Sequence, residues 1–137
     1  MFNLPRPSSE KATDIALLLM RITFGGLMCI NHGWGKMMKF FADAPIKFAD
    51  PIGIGMTASL GLTVFAEVVC GLLIVIGLFT RWATIPLIIT MLVAIFVIHI
   101  SDPFKKMEMA ILYLIPYVMI YLMGPGKFSV DSMMGRE

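Results

Sequence analysis

The chain has 137 residues, 58% of them hydrophobic and only 15% charged, with a mean hydropathy of +0.87. Soluble domains carry about 45–50% apolar and about 25% charged residues, so this is the composition of a membrane protein. The formal charge of +2 is too small and too evenly spread for a nucleic-acid interface.

Most apolar residues fall in four runs, 14–34, 58–79, 82–100 and 107–124, each near the ~20 residues that cross ~30 Å of hydrocarbon. The predicted fold is all-α, an integral membrane four-helix bundle forming a single domain over 1–137, because too little chain is left for a separate soluble domain. The first run is too long for a signal core, lacks a small-residue cleavage site and precedes three more spans, so it is expected to be retained.

In the first span Arg21, Gly25, Met28 and His32 are spaced by four, three and four residues and share one helix face. The run closes on "NHGWGK", where Trp34 suits the interface and Gly33 and Gly35 are expected to release the backbone from the helix. Beyond it, "GKMMKFFADAP" sets Met37, Phe40 and Phe41 on one face and Lys36, Lys39 and Asp43 on another until Pro45, predicting a short interfacial half-helix between helices 1 and 2.

In the second span Thr63, Glu67 and Gly71 form a stripe whose small residues admit a close neighbour. "LFTRWAT" ties spans two and three into an antiparallel hairpin with Arg81 and Trp82 at the interface. Pro86 and Pro116 lie inside spans, where each removes a backbone hydrogen bond and favours a bend. Tyr113, Tyr117 and Tyr121 recur every fourth residue in the last span, a pattern of packing rather than of a redox relay.

With an even number of spans both termini share one side. Basic residues outside the spans divide five against five, with Arg6, Lys11, Arg81, Lys127 and Arg136 on the terminus side and Lys36, Lys39, Lys47, Lys105 and Lys106 on the far side. The positive-inside rule is therefore balanced, and Arg6 and Lys11 at the first flank tip the expectation toward cytoplasmic termini in a cell membrane.

Arg21, His32, Glu67 and His99 are ionisable groups inside spans. A charge near the bilayer centre costs at least about 2.5–3.5 kcal/mol, so such residues turn inward, pair and become functional candidates. At ~1.5 Å per residue Glu67 lies roughly 13 Å from the far side, and side chains lean toward a helix N-terminus, so His32 and Glu67 converge. Arg21 falls about 8 Å short of Glu67 in depth, which predicts coupling through water or a long reach. The expected site is a polar pocket on the far side in which His32, Glu67 and His99 gather beneath Lys36. The structural alternative for Arg21 and Glu67 is an ion pair that fixes helix packing.

Cys29 and Cys70 are placed roughly 13 Å apart in depth, too far for a disulfide, and are expected to be free and buried. Two histidines and a glutamate lack any supporting metal or haem motif, so no metal is assigned.

The stretches "LLLMRITFGGLMCINHGWGKM", "FAEVVCGLLIVIGLFTRWA", "MLVAIFVIH" and "AILYLIPYVMIYLMGPGKFSVD" together resemble the DoxX family of small four-span membrane proteins over about 14–131. The resemblance implies a role in quinone-linked sulfur oxidation, as in membrane subunits of a thiosulfate:quinone oxidoreductase, or in membrane oxidoreductase complexes of thiol and oxidative-stress defence. It carries over Arg21, His32, Lys36, Glu67 and His99, with Tyr113 and the "GPGKFSVD" tail as weaker matches.

A quinone takes up two electrons and two protons, so its site needs hydrogen-bond donors near the membrane surface and a group that passes protons. His32, Glu67 and His99 are the candidate catalytic residues, and Arg21, His32, Lys36, Glu67 and Tyr113 the candidate quinone-binding ones. The sequence offers no CxxC, no dinucleotide glycine motif after a strand and no iron–sulfur cysteine cluster. Alone the chain is an incomplete redox enzyme, and a redox partner subunit within the lipid bilayer is expected. Self-association stays open. The contrasting class is a non-enzymatic assembly factor for membrane proteins, or a small-solute carrier, although no internal repeat supports a carrier.

Overall fold

The computed structural model describes residues 8–136. Four long apolar helices, α1 (Ser9–Phe41), α2 (Met56–Ile76), α3 (Thr80–Ile98) and α4 (Phe104–Met123), are each able to cross a membrane. A short α5 (Val130–Met133) follows, and no strand occurs among the described residues. This is a multi-pass, all-helical membrane protein. Each helix packs on the next in chain order, and α4 closes the ring against α1.

The last three spans lie within three residues of their predicted limits, whereas α1 is much longer. The expected half-helix is present only as the last turns of α1: residues 34–41 continue the helix without a break. Gly33 remains right-handed helical at φ −79°, ψ −42°, so it does not release the backbone. Its role is close approach. A Cβ on Gly33 would stand 2.7 Å from the Val68 side chain and 3.1 Å from Glu67 Cβ. One crossing lower, a Cβ on Gly25 would stand 2.8 Å from the Gly71 carbonyl oxygen. Between lipid-solvated helices, association rests on such backbone proximity rather than on hydrophobic burial.

This seam also levels Cys29 with the Cys70–Gly71 turn, since a Cβ on Gly71 would touch Cys29 Cβ at 3.6 Å. The depth difference expected between the cysteines is therefore absent, because the longer α1 crosses α2 in a different register. Both thiols are nonetheless free and buried.

The terminus end of the bundle is tied by the chain's last residues. Gly77 turns left-handed (φ 73°) and ends α2, with Leu78 N–H donating to the Leu73 carbonyl at 2.9 Å. Phe79, a bulky residue also in the left-handed region at φ 49°, begins α3. Asp131 holds this turn: its carboxylate accepts from Phe79 N–H (2.9 Å), Thr80 N–H (2.8 Å) and the Thr80 hydroxyl (2.8 Å). It thereby satisfies amides that a helix start leaves orphaned, at the positive end of the helix dipole. Arg21, fully buried, donates from Nη2 to the Phe128 carbonyl in the same tail.

Burial alone would raise the Asp131 carboxyl, but the hydrogen bonds from Thr80 and Phe79 outweigh it and hold the group below the usual carboxylate range. A lowered folded pKa stabilises the fold above the unfolded value of about 3.9 and ceases to do so as pH falls through the folded value. Asp131→Ala should cost about 2–4 kcal/mol of stability at neutral pH. Asp131→Asn should flatten the loss of melting temperature between about pH 5 and about pH 3. Thermal melting in detergent checks both, and parallel pH curves for wild type and Asp131→Asn would contradict the clasp.

Candidate functional site

At the far end, the first turns of α2 pack on the last turns of α1, while α3 and α4 pack on each other. Between the pairs lies a cavity of about 630 Å³. His32, Lys36, Glu67, His99 and Tyr113 all line it. Each arrives on a separate helical register: His32 and Lys36 one turn apart on α1, Glu67 on α2, His99 at the end of α3 and Tyr113 on α4.

Glu67 is 2% exposed. Its partner is Lys36, whose ammonium donates to both carboxylate oxygens at 2.6 and 2.7 Å. This short bidentate geometry is that of a strong, charge-assisted pair. The predicted direct partner, His32, lines the same cavity but stands edge-on to Tyr113, ring centroids 5.2 Å apart. Among the described residues neither the His32 ring nor the Tyr113 hydroxyl makes a hydrogen bond, so both face the cavity as free donors or acceptors. Tyr113 is further fixed by stacking on Tyr117 at 6.2 Å, whose hydroxyl donates to the Phe24 carbonyl at 3.0 Å.

His99 sits at the mouth. Its Nδ1–H donates to Asp102 at 2.7 Å, and Asp102 lies 3.6 Å from the Lys106 ammonium. The hydrogen bond from His99 holds the Asp102 carboxyl below the ordinary range. With Nδ1 engaged, Nε2 is the ring nitrogen left for exchange.

Arg21 stands apart from this group. It precedes His32 by about 16 Å along α1 and bonds the terminus-side tail, and it does not line the cavity. The expected coupling of Arg21 to Glu67 is replaced by a structural tie to the "GPGKFSVD" tail. The cause is its lean toward the helix N-terminus.

Arg21, His32, Glu67 and His99, the four ionisable residues the sequence places inside the apolar runs, each lie in or directly after a π-helical turn. Arg21 opens one (Arg21–Gly25), His32 and Glu67 lie within two others (Met28–Gly33 and Phe65–Cys70), and His99 terminates a fourth (Ala94–Ile98). Such turns are rare and concentrate at functional sites, because the wider ring re-aims side chains and frees carbonyls. A 3.6-residue pattern carries no signal for them. Two pairings were also unread in the sequence, that of Lys36 with Glu67 and that of Asp102 with His99. Lys36 is four residues from His32 and therefore on its face, and Asp102 is three from His99; either spacing was available as a clue.

Because Lys36 is part-exposed and Glu67 is not, the two halves of the pair should respond unequally to removal. A lysine that loses its partner can extend toward the far surface, whereas a buried carboxylate cannot. Lys36→Met should therefore destabilise by about 3–5 kcal/mol and Glu67→Gln by about 1–2 kcal/mol. Melting of both variants in one detergent checks this, and equal losses or the reverse order would contradict it.

A family model described as DoxX matches residues 16–100. The chain is 28% identical over 130 residues to an uncharacterized protein of Haemophilus influenzae, spanning 90% of this chain and 93% of that protein. No solved structure matches. The family match covers well over half of the chain and includes Arg21, His32, Lys36, Glu67 and His99: the chain belongs to the DoxX family.

Proposed function

We propose that the protein is the membrane subunit of a quinone-linked oxidoreductase, of the thiosulfate:quinone or thiol and oxidative-stress kind, and that its far-side cavity receives the quinone head group. The observation that carries this reading is the convergence of His32, Lys36, Glu67, His99 and Tyr113, from all four helices, on one largely apolar cavity. The residues suit the ligand: His32 and Tyr113 have uncommitted polar atoms there, and the surrounding wall, with Met28, Phe65 and Ile89, is apolar.

A quinone in this cavity would supply acceptor chemistry for two electrons and two protons. Tyr113 and His32 would hold its head group by hydrogen bonds from their uncommitted polar atoms. Lys36 fixes the Glu67 carboxylate and retains one ammonium donor of three, two being engaged. His99, held by Asp102 at the mouth, exchanges protons with the aqueous far side. Electrons come from a partner subunit, since Cys29 and Cys70 are free and buried and no group of three or more metal-binding side chains occurs among the described residues.

His32→Ala removes one head-group contact and leaves the Gly25 and Gly33 seam intact. Purified beside wild type, with equal helicity and melting, it should retain about tenfold less quinone and lose partner-dependent quinone reduction in proportion. Equal values would return His32 to packing against Tyr113. A preparation free of quinone that captures client membrane proteins would favour an assembly factor.

We also propose cytoplasmic termini, with the cavity opening outward. In a background lacking Cys29 and Cys70, Asp43→Cys should react with an impermeant thiol reagent in intact cells and Asn3→Cys should not. External modification at position 3 would reverse the orientation.

A further inference from the structure

The cavity is elongated, and its polarity and openings are unevenly placed. Its α3 wall runs from Pro86 to His99, thirteen residues or about 20 Å of depth. His99 and Lys106 stand at the far end, whereas Glu67 and Tyr113 are the deepest lining residues of α2 and α4, with His32 at their level. Thr63, one turn nearer the far side than Glu67, and Thr90 on α3 give their hydroxyls back to their own helices, bonding the Ser59 carbonyl at 2.9 Å and the Pro86 carbonyl at 2.8 Å. The α2 and α3 walls beside the Glu67 site therefore present an apolar surface despite their composition.

Two sides are covered, the wall between α1 and α4 and part of the aqueous end beside His99. Between α1 and α4, the His32–Tyr113 ring contact and the Tyr117–Phe24 hydrogen bond close the wall. Over the aqueous end lies the segment after α1, with Phe48, Pro51 and Ile52 on the cavity. Asp50 pins that segment to the start of α2 by accepting from Ile54 N–H (3.0 Å), Gly55 N–H (2.9 Å) and the Ser59 hydroxyl (2.8 Å). Lys39 adds a bond to the Lys47 carbonyl at 3.2 Å. The side between α2 and α3 differs: Leu62 and Phe65 of α2 and Ile89 of α3 line the cavity yet are 58%, 49% and 55% exposed. The gap between α2 and α3 opens sideways, where the bilayer lies.

We infer that the site takes a long-chain amphiphile from within the bilayer, its head group beside Lys36, Glu67 and His32 and its chain leaving sideways through the α2–α3 groove past Phe65 and Ile89. For the identity of the head group this rests on the quinone reading; for the groove and the sideways route it does not. A chain gains little by leaving lipid for an equally apolar groove, so the head group supplies the affinity and the groove sets direction and register. A prenylquinone and a bilayer phospholipid share this shape and chemistry.

The test places a photoreactive benzoylphenylalanine at Ile89, on the groove, or at Leu92, one turn on and facing outward. The full chain is reconstituted in phosphatidylcholine vesicles containing a long-chain prenylquinone, irradiated and analysed by mass spectrometry. Adducts should form at Ile89 about tenfold above Leu92, the discrimination that one or two head-group hydrogen bonds provide, and His32→Ala should abolish that excess without lowering the melting temperature. Enriched quinone adducts support both readings. Enriched phospholipid adducts without quinone support the groove and overturn the quinone assignment. Equal labelling at Ile89 and Leu92 overturns the groove, and an excess that persists in His32→Ala overturns the placement of the head group.

Discussion

A carboxylate inside a membrane span has to bring its counter-charge with it, and most of the far half of this bundle follows from that requirement at Glu67. Its partner is not His32, the nearest ionisable group in the sequence pattern, but Lys36, at 2.6 and 2.7 Å. For Lys36 to stand over Glu67, α1 must continue past Gly33 as helix, and for α1 to lie close enough, Gly33 must lack a side chain. Desolvating both charges costs several kcal/mol, which the pair offsets only in good geometry. The π-helical turns under His32 and Glu67 are the backbone's contribution to that geometry.

The two ends of the molecule solve the same problem differently. At the far end the charged groups surround a space and keep spare hydrogen-bonding capacity. At the terminus end Asp131 and one arm of Arg21 are engaged in structure: Asp131 answers the first amides of α3 and Arg21 Nη2 answers a carbonyl of the tail. Arg21 Nε and Nη1 have no partner among the described residues. An intramembrane charge is thus a sign of constraint first, and of chemistry only where its partners leave something over.

Much of this was legible in the sequence, for reasons that can be named. Hydrophobic run length located the spans because the bilayer imposes it on every helix. The four-three-four spacing of Arg21, Gly25, Met28 and His32 identified the packed face of α1, and the Gly25–Gly71 contact is where the two small-residue stripes meet. The cost of burying charge selected His32, Glu67 and His99 of the cavity, and Arg21 outside it, whereas Tyr113 came from the family resemblance alone. What escaped was register and termination. "GWGK" reads as a helix exit because glycine is flexible in isolation, whereas here the neighbouring helix uses its lack of a side chain. The depth of Cys29 and the reach of Arg21 were misjudged for the same reason: both depend on where α1 crosses α2, and this is fixed by contacts far apart in the chain. The tail clasp has no local signature, since Asp131 acts as a cap for a helix that begins about fifty residues earlier.

The clasp also bears on the order in which the molecule can be made. Domains and helices become available from the N-terminus onward during synthesis, so the α2–α3 hairpin enters the membrane before its cap exists. Until residues 128–131 emerge, Arg21 has no Phe128 carbonyl to bond, and the left-handed turn at Phe79 has no carboxylate behind it. The bond that ties the first helix to the tail can therefore form only after the last span has been synthesised.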